Sequence, residues 1–127
     1  MSFCTVVNCI DGRVQLSVIE FLKKRFSADY VDCITEAGPA RILAGETNRR
    51  QVQSIIDRID ISIARHKSNA LAVVGRHDCA ADHVDRQKQL EQLDMSVKYL
   101  KGQYRGIEVI GLWIDENWSV SEMPSFD

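Results

Sequence analysis

The sequence predicts an α/β fold, a mainly parallel sheet of about four strands flanked by helices, built as a single domain over residues 1–127. Three observations carry this. Short apolar, β-branched runs alternate along the chain with longer amphipathic stretches. The apolar runs read as near-continuous hydrophobic segments, as strands buried on both faces do. Two of them also run directly into clusters of reactive side chains, and strands of a parallel sheet end at one shared edge.

In chain order, residues 3–8 read as a buried strand. From Val14 to Phe26 the residues Val14, Val18, Leu22 and Phe26 recur every four positions, with Ile19 and Phe21 alongside, which predicts an amphipathic helix. Lys23, Lys24 and Arg25 fall in its last turns, where the helix dipole favours cations. Tyr30 to Thr35 is β-branched enough for a second strand. The Gly38-Pro39 pair then marks a tight turn or loop, and residues 41–46 fit no single pattern.

Thr47 or Asn48 can cap a long helix to about His66, with Val52, Ile55, Ile56, Ile59 and Ile63 on one face and charged residues, Arg58 among them, on a solvated one. Ser68-Asn69 ends it, and Ala70 to Gly75 is the third strand. A further helix covers roughly Asp82 to Tyr104, with an apolar stripe of Leu90, Leu93, Val97 and Leu100. Ile107 to Ile114 is the fourth strand. Trp113 and Trp118 bracket a polar turn, and Ser119 to Asp127 reads as irregular.

Composition excludes several functions. A net charge of −2 with interspersed acids and bases offers no footprint for nucleic acid or an anionic membrane. No apolar run reaches membrane-spanning length, and the first residues lack the pattern of a signal peptide; the expected location is cytoplasmic. There the four cysteines are expected to remain thiols. Cys4 and Cys33 lie inside strand-like runs and read as small core hydrophobes, whereas Cys9 and Cys79 stand at strand ends. No Gly-rich phosphate loop follows any strand, so a nucleotide site has no support.

The candidate chemistry lies in two places. Cys9-Ile-Asp11-Gly-Arg13 presents a thiol, a carboxylate and a guanidinium at alternate positions. The thiolate can bind a metal, and the guanidinium can hold the carboxylate through paired hydrogen bonds. It also reads as an ordinary polar turn with Asp11 or Asn8 capping the next helix. The second cluster is Arg76-His77-Asp78-Cys79, at the end of the third strand, where Cys79 can face Cys9 across the sheet edge.

Together these clusters resemble the β-class carbonic anhydrases in shortened form. Cys9, Asp11 and Arg13 match that family's Cys-x-Asp-x-Arg; Tyr30 to Gly38 is similar to its second strand and Ala-Gly turn, and Leu71 to Cys79 to its strand and His-x-x-Cys segment. The resemblance runs from Phe3 to about Asp115. It implies a zinc ion held by Cys9 and Cys79, with Asp11 and Arg13 as the paired dyad, and carbon dioxide and bicarbonate as substrate and product. A homodimer is expected as well, because a small sheet with an exposed edge and an apolar last strand is best covered by its twin.

The departure is at the histidine. Three residues before Cys79 stands Arg76, which is always protonated and cannot donate a lone pair to a metal. His77 is one place later and is the candidate third ligand if the loop is shifted by a residue; His83 is a further candidate. Three functions follow: hydration of carbon dioxide by zinc-bound hydroxide; a family member without that activity, binding bicarbonate or another small anion between Arg13 and Arg76; and redox sensing through Cys9 and Cys79.

Overall fold

The computed structural model describes residues 1–45, 48–77 and 85–123. Its sheet has strands β1 (Phe3–Cys9), β2 (Tyr30–Glu36), β3 (Ala70–Arg76), β4 (Glu108–Ile114) and β5 (Val120–Glu122). The helices are α1 (Gln15–Arg25), α2 (Pro39–Leu43), α3 (Arg49–His66) and α4 (Arg86–Gln103), with a 3-10 turn at Gly12–Val14. The strand order is β2-β1-β3-β4-β5. The first four are parallel and β5 runs antiparallel to β4.

The four expected parallel strands are therefore present, and the tail read as irregular adds a fifth. Three residues are too short a run to carry a strand signal. β5 exists because β4 offers it a partner, pairing Leu112 with Glu122 and Ile114 with Val120. The turn between them is tied by Asp115, whose Oδ1 accepts from the Asn117 and Ser119 amides at 2.9 and 3.0 Å.

Alternation along the strands divides the core in two. Cys4, Val6, Ala72, Val74, Leu112 and Ile114 belong to the layer that Val14, Val18 and Leu22 of the α1 side close. Val7, Leu71, Val73, Val109 and Trp113 belong to the opposite layer with Ile55 and Ile59 of α3 and Leu93 and Leu100 of α4. Each fully buried Leu or Ile contributes about 1.5–3 kcal/mol of transfer free energy. The predicted apolar faces are the buried ones, and Asn48 caps α3 by accepting from the Gln51 amide at 3.1 Å.

Three expectations change. Cys33 is exposed, because β2 is an edge strand, while Cys4 is fully buried. Arg58 is not simply solvated but pairs with Glu36 at the end of β2. The stretch around residue 41 is the short helix α2, entered through Gly38 at φ +72°, a backbone conformation suited to glycine, with Pro39 in the first turn. Among the described residues no helix is long and apolar enough to cross a membrane.

The topology places the site. β2 lies on one side of β1 and β3 on the other, so successive connections leave β1 in opposite directions. The carboxyl ends of β1 and β3 thus flank the switch point where open α/β sheets form their crevice. Cys9 ends β1 and Arg76 ends β3.

Candidate functional site

The turn after β1 is shaped from inside. Asn8, fully buried, accepts from the Cys9 amide at 2.8 Å and donates to the Val14 carbonyl at 3.2 Å. Gln15 donates to the carbonyls of Cys9 at 2.6 Å and Asp11 at 3.0 Å. These two amides fold the chain back on itself and present Asp11 outward. Asp11 then caps the 3-10 turn, accepting from the Arg13 amide at 2.9 Å.

The Arg13 side chain closes on the same carboxylate, with Nε 3.0 Å from Oδ1 and Nη2 2.6 Å from Oδ2. Arg76 reaches it from β3, with Nη2 3.0 Å from Oδ2. Two guanidinium groups therefore share one carboxylate. The side-chain and backbone hydrogen bonds from Arg13, then the charges of Arg76 and Arg13, hold the Asp11 carboxyl well below the usual carboxylate range.

The two arginines differ in setting. The Arg13 side chain is 63% exposed and that of Arg76 only 4%. Trp118 covers the cluster: the Arg13 guanidinium lies 4.5 Å and that of Arg76 6.0 Å from its ring centroid, within cation–π range. Trp118 holds φ at +61°, uncommon for a bulky side chain, and this conformation turns its indole back over the site.

His77 is turned to different partners. Its Nδ1 is 3.3 Å from the Ile114 carbonyl, and its ring meets Trp118 edge-on at 4.9 Å. Cys9 is buried and lines a cavity of about 20 Å³ between the sheet edge, α2 and α4, together with Arg76, Arg41, Gln89 and Gln92. Of the residues expected at the site, Cys9, Asp11, Arg13 and Arg76 gather at the switch point. Cys79, Asp78 and His83 lie outside the described residues.

Zinc requires about four nitrogen, sulfur or oxygen donors with free lone pairs. Here both Asp11 oxygens are engaged by guanidinium groups, and the position expected for histidine holds a buried cation. Among the described residues no group of three His, Cys, Asp or Glu side chains could hold a metal ion. The described donor set does not fit zinc.

Three contributors were not read from the sequence: Asn8 and Gln15 as the internal frame of the turn, and Trp118 as its cover. A buried amide in a strand-end turn is a weak signal, already counted as a helix cap. Nothing in the residues around Trp118 shows that its backbone turns left-handed.

Comparison with known proteins supplies the lineage. The family model described as "Putative carbonic anhydrase" matches residues 1–124. No curated protein matches the chain. Among solved structures, a tetrameric β-carbonic anhydrase from the filamentous ascomycete Sordaria macrospora superposes with a TM-score of 0.59 at 12% identity, covering 94% of this chain and 79% of that one. A carbonic anhydrase from Streptococcus mutans gives 0.58 at 17% identity over 95% and 81% of the two chains. The β-carbonic anhydrase CafA of Aspergillus fumigatus gives 0.51 at 12% over 97% and 76%. At these identities the superpositions establish the fold, and the family model establishes descent: the chain belongs to the carbonic anhydrase family.

Proposed function

We propose that this protein binds bicarbonate or a similarly small anion, in the cytoplasm, and does not hydrate carbon dioxide through zinc. The observation that supports this reading is Arg76, buried at the end of β3 and ion-paired to Asp11 where the family resemblance expects a metal-binding histidine. A guanidinium supplies a fixed positive charge and hydrogen-bond donors, which suit an oxyanion. It supplies no lone pair, so the same position cannot serve both roles.

The remaining residues agree with a binding role. Asp11 neutralises part of the positive charge and fixes both guanidinium planes, Arg13 on the exposed side and Arg76 on the buried one. Trp118 lies within cation–π range of both guanidinium groups. The zinc hydratase reading, with Cys9, Cys79 and His77 as ligands and Asp11 and Arg13 as the dyad, is the alternative that family membership alone would favour.

The test is metal content and carbon dioxide hydration in the purified protein and in Arg76→His. The native chain is expected to be zinc-free and inactive in hydration yet to bind bicarbonate. Arg76→His, which restores the family spacing to Cys79, is expected to gain zinc affinity by at least the roughly 10–100-fold that outer-shell changes alone produce. Stoichiometric zinc in the native protein, with hydration activity abolished by Cys79→Ala, would overturn the proposal; loss of that zinc in His77→Ala would identify His77 as the working ligand.

A further inference from the structure

The inner side of Arg76 is unexplained by its pair with Asp11. Its Nε and Nη1 are fully buried and have no hydrogen-bond partner among the described residues, and the residue as a whole is only 5% exposed. Leaving such donors unsatisfied is costly, more so on a charged group. The Nε of Arg41, on α2, is in the same condition.

Both arginines line the same cavity of about 20 Å³ behind Asp11, walled by Cys9 and Gly38 and by the buried amides Gln89 and Gln92 of α4. No acidic side chain stands among the described lining residues. A space of that size holds roughly one water-sized particle. A neutral water could satisfy a donor, but it would not balance the charge of Arg41, which has no carboxylate partner among the described residues, while Asp11 is shared between Arg13 and Arg76. A small anion satisfies donors and charge together.

We infer that this cavity is a site for a single small monovalent anion, a halide or a bicarbonate oxygen, held between Arg76 and Arg41. The inference rests on the metal-free reading above and gives it a location: the anion sits on the inner side of Arg76, not at the exposed face of Arg13. Arg41 becomes a binding residue that the family motifs do not include.

The experiment is calorimetric titration of the full chain with sodium bicarbonate and sodium chloride at fixed ionic strength, in buffer treated with chelator, for native protein, Arg41→Gln and Arg13→Gln. Bicarbonate and chloride are expected to compete for one site. Arg41→Gln is expected to weaken binding by about tenfold or more, the scale of one hydrogen bond to a charged group, and Arg13→Gln to weaken it by less than Arg41→Gln does. Arg41 is partly exposed on a short helix, and an unchanged circular dichroism spectrum checks that the variant folds. Bicarbonate binding that survives Arg41→Gln but is lost in Arg13→Gln would overturn the cavity site while leaving the metal-free reading intact. Absence of any anion binding to a zinc-free native protein would overturn both.

Discussion

At the scale of single residues, the site depends on how tightly Asp11 keeps its charge. Its carboxyl is held low by the Arg13 hydrogen bonds and by Arg76. A carboxylate depressed in the folded state stabilises at pH values above the ordinary carboxylate pKa, and that contribution is lost only as pH falls toward the folded value. The cluster therefore persists through mild acid. Cysteine behaves in the opposite sense. Burial, then the charges of Cys33 and Asp32, push the Cys4 thiol from 9.0 up to about 11. Its contribution is fully present below pH 9 and is lost as pH rises toward 11. At neutral pH Cys4 is thus a buried thiol, whereas Cys33 is exposed. Alkylation of native protein followed by peptide mass mapping should modify Cys33 well before Cys4; equal rates would show that β1 is not enclosed as described. Arg76 was legible from the sequence as a residue unable to bind metal. Its partner was not, because nothing in Arg76-His77 specifies which way a strand-end side chain turns. The same uncertainty attached to His77, which is engaged with Ile114 and Trp118.

At the scale of elements, two glycines let α4 approach the sheet. A Cβ on Gly75 would stand 3.2 Å from Leu93, and one on Gly111 would stand 2.8 Å from Val97. These residues lie on neighbouring strands, with Val73 beside Gly111 and Gly75 beside Trp113. Their missing side chains bring α4, with Gln89 and Gln92, down against the cavity. Gly111→Ala should overpack this interface and destabilise the fold by about 1–3 kcal/mol, read as a lower urea midpoint with unchanged slope. An unchanged midpoint would mean that α4 yields freely. The long elements were legible because their apolar positions repeat over many residues: Ile55, Ile56 and Ile59 mark α3 and the run from Val109 to Ile114 marks β4. α2 and β5 were not, since neither has length enough for a period. Their conformations come from partners outside the segments themselves, β4 for β5 and the α3–α4 layer for Ile42 and Leu43 of α2.

At the scale of the whole molecule, the expectation of a homodimer takes a more definite form. The apolar last strand was expected to need covering by a second copy. β4 is covered already, since β5 pairs with it and ends that side of the sheet with the exposed Ser121 and Glu122. The open edge is β2, seven residues long and paired only with β1. It carries the exposed Tyr30, at 49%, and the exposed Cys33. A long unprotected edge is a template for another strand unless charge or irregularity blocks it. Pairing with its own copy about a two-fold axis would satisfy those backbone groups symmetrically. Sedimentation at micromolar concentration should therefore give twice the mass of one chain. Cys33→Lys should shift the boundary toward the single chain, because a lysine on each edge strand would meet its like across the axis. The residue is exposed, so the fold of the monomer should be kept. A native protein that sediments only as a single chain would sink the prediction, and a Cys33→Lys variant that stays dimeric would move the interface to another face.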